Sequence, residues 1–400
     1  MHSKASGDYV DNNGATRMAS GASNKSTGGT QVRVLSYNFN ILPWGCSGFQ
    51  KERITAFLSE VDKYDVLVLQ EVYAASVLPY FVQRYVCFQK YLVDELRALG
   101  FHYYVISKQP SYPTLLRHSV LSDNGLVIAS RFPIGQRGSY TFRNHEHVGR
   151  SVRRGCLFAE VKVPSAEEGE SIIFFNVHLR EKEDQNAISE HVKEMRRFIA
   201  SVIGRLCANP DNVSKMPFVV AGDFNINGIN LHSVGQPTKM YCDLVQELQT
   251  IGGGLREVIF DTCHNHPPTR PTKLFFPTLS KFNRNSLVAQ RQDYFFVTPT
   301  VVVNEAQIRK FVANSREPYV YLSDHFGVAA TLSAADTGAK ARHKYTSLSI
   351  EGTSVAEEAI NEHSNPIAGT KMELVVLLLM LLTANSLSWS TLLASGVLWF

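Results

Sequence analysis

"PFVVAGDFN", Pro217 to Asn225, is an apolar run with the character of a buried strand, and it ends abruptly in a carboxylate and an amide. Phe218 to Ala221 offer water nothing polar, so both faces of such a strand are expected to be covered. A carboxylate at its end gains nothing from burial unless it is paired or holds a metal. Asp223 and Asn225 are two apart, a spacing that puts both side chains on one face of a strand. By itself the stretch fits an Asx-turn after a strand as well as it fits a site.

The same pattern recurs along the chain. "VRVLSYNFN" (32–40), "YDVLVLQEV" (64–72), "NGLVIAS" (124–130), "GCLFAEVKV" (155–163), "SIIFFNVHL" (171–179), "QDYFFVT" (292–298) and "FGVAATL" (326–332) all read as strands. Helices are expected at "RITAFLSEV" (53–61) and at about 186–206. Phe81, Tyr85, Phe88, Leu92 and Leu96 fall at helical spacing, as a core-facing stripe would. Many strands with few intervening helices do not fit simple βαβ alternation. They predict an α/β protein built as a four-layer sandwich, two packed mixed sheets flanked by helices. Several strands end in, or are broken by, acids, amides and histidines: Asn38, Glu71, Asn176 with His178, Asp223 with Asn225, Asp293, and Asp324 with His325. One such boundary is a strand emerging into solvent. The repetition implies strand ends converging on one site.

The chemistry follows from the donor types. Glu71 and Asn38 supply hard oxygen ligands and no thiolate, which suits Mg²⁺. Of Asp223 and Asn225, one can orient a water while the other donates to a phosphoryl oxygen. Asp293 can accept from a histidine ring N–H and hold the tautomer that makes a useful base. His325 is the natural base and His178 a candidate acid. Together these predict metal-assisted hydrolysis of a phosphate ester. Arg291 and Tyr294 read as structural.

Composition narrows the partners. A net charge of +4 is too small to argue for nucleic acid, and none is expected as a partner. It is compatible with an anionic substrate or a membrane surface. The six cysteines lack paired spacing, which argues for free buried thiols in a reducing compartment. Cys263-His264-Asn265-His266 looks metal-like but lacks a second ligand pair, so a loop is the simpler reading. Residues 1–30 read as a disordered polar tail without a signal-peptide core, 31–334 as one catalytic domain, and 335–373 as a polar linker. Leu374 to Phe400 carries no charge, and as a helix would be about 40 Å long, enough to cross a bilayer core. The expectation is a C-terminal membrane anchor with the catalytic domain cytosolic. A GPI-attachment signal and a hairpin of two short segments are the rivals.

The ordered segments "LSYNFN", "LVLQEV", "NGLVIASRFPI", "NVHL", "AGDFN", "RQDYFF" and "LSDHFG" resemble those of the endonuclease/exonuclease/phosphatase superfamily across nearly all of 31–334. The resemblance implies that His325 is the general base, that Asp293 orients it, and that His178 contacts the phosphate. It also implies metal contacts by Glu71, Asn38 and Asp324, with Mg²⁺, or alternatively Mn²⁺, as cofactor. Within the superfamily, "SYNFNILPWG" and "RRGCLFAEV" are similar to the neutral sphingomyelinases, with Arg154 where a Lys is usual and Val177 in place of a threonine. Inositol polyphosphate 5-phosphatase and abasic-site endonuclease motifs are not matched. The implied activity is a phosphodiesterase of the phospholipase C type that acts on a membrane sphingolipid, giving ceramide and a headgroup phosphate. Another phosphoesterase or nuclease of the superfamily, or a membrane-tethered pseudoenzyme, are the alternatives. Oligomeric state stays open.

Overall fold

A computed structural model of the chain describes residues 31–42, 47–75, 83, 87–109, 122–143, 153–164, 170–180, 185–207, 209–230, 236–263, 266–270 and 290–334. The expected tail 1–30, linker 335–373 and anchor 374–400 lie outside the described residues, as do Phe81 and Tyr85. Among the described residues no helix is long and apolar enough to cross a membrane.

Two six-stranded sheets pack face to face. The first runs β11(Val301–Arg309)–β12(Gly327–Ala334)–β1(Val32–Ile41)–β2(Val66–Val72)–β4(Val127–Ser130)–β3(Tyr103–Ile106). The second runs β5(Ile134–Thr141)–β6(Gly155–Lys162)–β7(Ser171–His178)–β8(Phe218–Asp223)–β10(Asp293–Val297)–β9(Arg256–Glu257). Among the described strands β1 with β2 and β7 with β8 are parallel, and the other pairs are antiparallel. Helices α1(Gln50–Leu58) and α2(Gln89–Ala98) cover the first sheet. Helices α3(Gln185–Leu206) and α4(Lys239–Gln249) cover the second, and the short α5(Val258–Cys263) follows β9.

Strand alternation builds three apolar layers. Val32, Val34, Val66 and Val68 face Phe174, Val219, Ala221, Phe295 and Val297 between the sheets. The alternate residues Leu35, Tyr37, Leu67 and Leu69 face Ile54, Phe57, Leu92 and Leu96 of the outer helices. Ile173, Phe175 and Val220 meet Ile188, Met195, Ile199 and Leu248 on the other side. Central strands buried on both faces have no polar face to show, which is why they read as continuous apolar runs. The expected four-layer arrangement is observed. The strands not anticipated from sequence, β3, β5, β9 and β11, include all four sheet edges, and those edge strands carry partly exposed residues. Helix α1 begins three residues earlier than expected, at Gln50 after the left-handed Phe49. The thiols of Cys87 and Cys156 are free and buried as expected, whereas Cys242 is free but exposed.

Candidate active site

The row of side chains that fills the space between the sheets changes character at one end. On β1 it passes from Val34 through Ser36 to Asn38; on β7 from Phe174 through Asn176 to His178; on β8 from Val219 and Ala221 to Asp223. Register brings His178 level with Asp223, and Asp223 level with Asp293 at the start of the antiparallel β10. His325 stands just before β12, whose antiparallel course returns it to the same end. Parallel central strands and antiparallel neighbours thus deliver C-terminal and N-terminal residues to one place. Close sheet pairing helps: Gly222, at φ 145°, comes so near β7 that a Cβ there would lie 2.0 Å from the Val177 carbonyl oxygen.

Glu71 breaks the alternation. Leu67 and Leu69 point to the outer helices, so Glu71 would follow them. Its backbone is left-handed, φ 55°, and its carboxylate instead lies 3.5 Å from His178 Nε2 and 3.9 Å from the Arg154 guanidinium. Asn40 and Asn225 are left-handed too, at φ 51° and 52°. A non-glycine residue held there costs roughly 1–3 kcal/mol and persists where surrounding contacts over-determine it.

The polar contacts are specific. His325 Nδ1 lies 2.9 Å from Asp293 Oδ2. A carboxylate can only accept, so the proton sits on Nδ1 and Nε2 is left to act as a base. That Nε2 is 3.8 Å from Asp223 Oδ2, which also accepts from Asn38 Nδ2 at 2.9 Å and lies 3.5 Å from His178 Nε2. The other Asp223 oxygen accepts the backbone N–H of Asn225 at 2.9 Å, an Asx-turn, while Asn225 Nδ2 donates to the Leu179 carbonyl. Site and turn are therefore the same residues.

Charged groups lie close together here, and Asp223, Asp293, His178 and His325 are buried. Burial pushes the Asp223 carboxyl up to about 6, against the pull of His325. Burial would lower His325, but Asp293, Asp223 and Asp324 override it and lift the imidazole to about 10. Burial, with Arg154 and His325 nearby, holds His178 well below the usual histidine range. Neither ring nitrogen of this wholly buried His178 has a hydrogen-bond partner among the described residues. Two ligand groups overlap here, Glu71–His178–Asp223 and Asp223–Asp293–His325, each with its donor atoms within 4.8 Å of one another. Buried carboxylates and an unpartnered imidazole nitrogen fit a bound cation, whose charge would offset the field that now raises His325.

Asn38, Glu71, His178, Asp223, Asn225, Asp293 and His325 are thus brought together. Asp324 stands to one side: Asn40 Nδ2 donates to its Oδ1 at 2.9 Å and Arg270 pairs with its Oδ2 at 3.1 Å. Burial works to raise Asp324, but His325, Arg270 and Asn40 bring it down to about 2. Asn176 bridges the sheets, accepting from Gln70 Nε2 at 2.8 Å and donating to the Leu69 and Val127 carbonyls. Arg291 is buried against Glu257 at 2.7 Å, and the Tyr294 hydroxyl meets backbone carbonyls, so both are structural. Asn40, Gln70 and Arg270 join this network without being among the residues expected from sequence. The first had a signal, since "NFN" at 38–40 repeats the spacing of "DFN" at 223–225; Arg270 had none, lying in a polar loop.

The fold and the site define a hydrolase-type centre at one end of a two-sheet sandwich. The profile of endonuclease/exonuclease/phosphatase family 2 matches residues 35–331, and the chain belongs to that family. Two curated relatives are each 25% identical. A sphingomyelinase of Dictyostelium discoideum aligns over 42% of this chain and 38% of its own length. An inositol phosphosphingolipids phospholipase C of Schizosaccharomyces pombe aligns over 76% of this chain and 68% of its own. The chain thus spans well under half the length of the first of these. Among solved structures, sphingomyelinase C from Streptomyces griseocarneus is 17% identical, covering 76% of this chain and 99% of that one, with a TM-score of 0.51. At that identity the likeness is one of fold.

Proposed function

We propose that the protein is a divalent-cation-dependent phosphodiesterase of the phospholipase C type, acting on a sphingolipid with a phosphate-linked headgroup. The observation that carries this reading is the His325–Asp293 pair set beside the Glu71–His178–Asp223 group. Asp293 accepts from Nδ1–H, so His325 Nε2 takes a proton from water as its oxygen attacks phosphorus. The bond from phosphorus to the lipid alcohol breaks, the departing oxygen takes a proton from solvent water, the proton on His325 is returned to solvent, and the neutral His178 offers its single N–H to an oxygen of the reacting phosphate. Asn38 and Asn225 fix the Asp223 carboxylate from both sides. Glu71, Asp223 and Asn38 would hold the cation, which when bound stabilises charge on the phosphoryl oxygens. The oxygen-rich donor set favours Mg²⁺ or Mn²⁺ over softer ions. The names of both curated relatives support the lipid substrate, and residues 374–400 are proposed to keep the enzyme at the bilayer that holds it.

The test is turnover by the purified full-length chain on sphingomyelin micelles, inositol-phosphate ceramide micelles and abasic duplex DNA. Each is run with Mg²⁺ and with EDTA. Release of headgroup phosphate that needs the cation is expected from at least one lipid. Cleavage of DNA alone, or full activity after exhaustive chelation, would overturn the reading.

A further inference from the structure

The backbone just beyond Glu71 is held by a set of hydrogen bonds, several of which lead to one carboxylate. Asp123 is fully buried and accepts four hydrogen bonds. Its Oδ1 takes the N–H of Ala74 at 3.0 Å and of Gly125 at 3.2 Å. Its Oδ2 takes Gln89 Nε2 at 2.9 Å and the Ser107 hydroxyl at 3.2 Å. Gln89, at the start of α2, spends its second amide hydrogen on the Val72 carbonyl at 2.7 Å. The Val72 N–H donates to the Gly125 carbonyl and the Tyr73 N–H to that of Ile41. The Tyr73 ring lies against Gly125, where a Cβ would sit 2.5 Å from it, and the Tyr73 hydroxyl bonds Arg154, which faces Glu71.

None of these hydrogen bonds is made by the carboxylate of Glu71; they fix the backbone of Val72, Tyr73 and Ala74 that follows it. A relaxed Glu71 would return its side chain to the outer-helix face that Leu67 and Leu69 occupy. We infer that Asp123, through Gln89, is a positioning residue that holds Glu71 in its left-handed conformation and so sets the affinity of the site for a divalent cation. The inference rests on the proposed reading of Glu71 as a cation ligand.

The test measures cation binding directly, without substrate, by titrating the full-length chain with Mn²⁺ and following free Mn²⁺ by electron paramagnetic resonance. Asp123→Asn keeps the shape but replaces one acceptor oxygen with an NH₂ that cannot accept, so one pair of its four donors is left unsatisfied. Gln89→Met removes both donations and guards against an Asn variant that fails to fold. Thr298→Val is the stability control. It loses buried hydrogen bonds to Phe218 and Met216 at the opposite end of β8. Loss of groups that orient a ligand typically costs about 10–100-fold in metal affinity. That weakening is expected in both Asp123→Asn and Gln89→Met, with unchanged circular dichroism. Thr298→Val is expected to melt earlier and bind Mn²⁺ like the wild type. Glu71→Gln should remove the site. If Glu71→Gln removes it while both clamp variants bind like the wild type, the clamp is wrong and the cation reading stands. Equal weakening in Thr298→Val would also overturn the clamp. A wild-type chain with no Mn²⁺ site sensitive to Glu71→Gln would bring down the cation reading and the clamp with it.

Discussion

Asp293→Asn is the sharpest probe of the proposed chemistry, because it removes a charge and nearly nothing else. The amide oxygen can still accept from His325 Nδ1–H, and the Asp293 backbone N–H stays on the Thr269 hydroxyl. What is lost is the attraction between the carboxylate and the imidazolium that forms when His325 takes a proton. Across the 2.9 Å contact, at an effective dielectric constant near 20, that attraction is about 6 kcal/mol. At about 1.4 kcal/mol per decade, the ceiling on the rate loss is roughly 10⁴-fold. Asp223 and Asp324 also stabilise the imidazolium, so a loss of roughly 10²–10⁴-fold in kcat is expected. The pH dependence has a definite sign. A neighbouring anion favours the protonated ring; without it His325 loses its proton at lower pH, so the acid limb of the rate profile moves down. The assay is kcat against pH on sphingomyelin micelles with saturating Mg²⁺, with circular dichroism as the check on folding. Wild-type kcat in a folded Asp293→Asn protein, or an acid limb that moves up, would refute the assignment of His325 as the base oriented by Asp293.

Gly222→Ala is expected to lower the unfolding free energy by roughly 1–3 kcal/mol or more, read in a thermal melt, since an L residue is strained at φ 145° and its Cβ would press on the Val177 carbonyl. Arg291→Met strands the buried Glu257 carboxylate without its partner and should cost about 3–5 kcal/mol in urea denaturation, whereas a loss under 1 kcal/mol would mean that the pair is dispensable. Deleting residues 374–400 should move the protein from the membrane pellet to the supernatant of a carbonate wash, and retention in the pellet would place the anchor elsewhere.

The central strands were legible because burial on both faces leaves a local signature, a continuous apolar run ending in a polar residue. The edge strands β5 and β11 have no such signature: their half-exposed residues, as in "IGQRGSYT" and "VVVNEAQIR", mix polar and apolar without a clean period. The identity of the site-forming residues was likewise local information, since an acid or histidine at the end of a buried strand is conspicuous wherever it falls. Their partners were not. Asn38 meets Asp223 across 185 positions of sequence, and Asp324 meets Arg270 across 54. No period or composition encodes such distances; they follow from sheet order and register. The backbone of Glu71 is the clearest case. Strand alternation assigns its side chain to the outer layer, yet its left-handed backbone turns it to His178, and the hydrogen bonds of Asp123, Gln89 and Gly125 fix the residues that follow it. Alternation is a property of one strand, whereas a strained dihedral persists only where distant parts of the fold have closed around it.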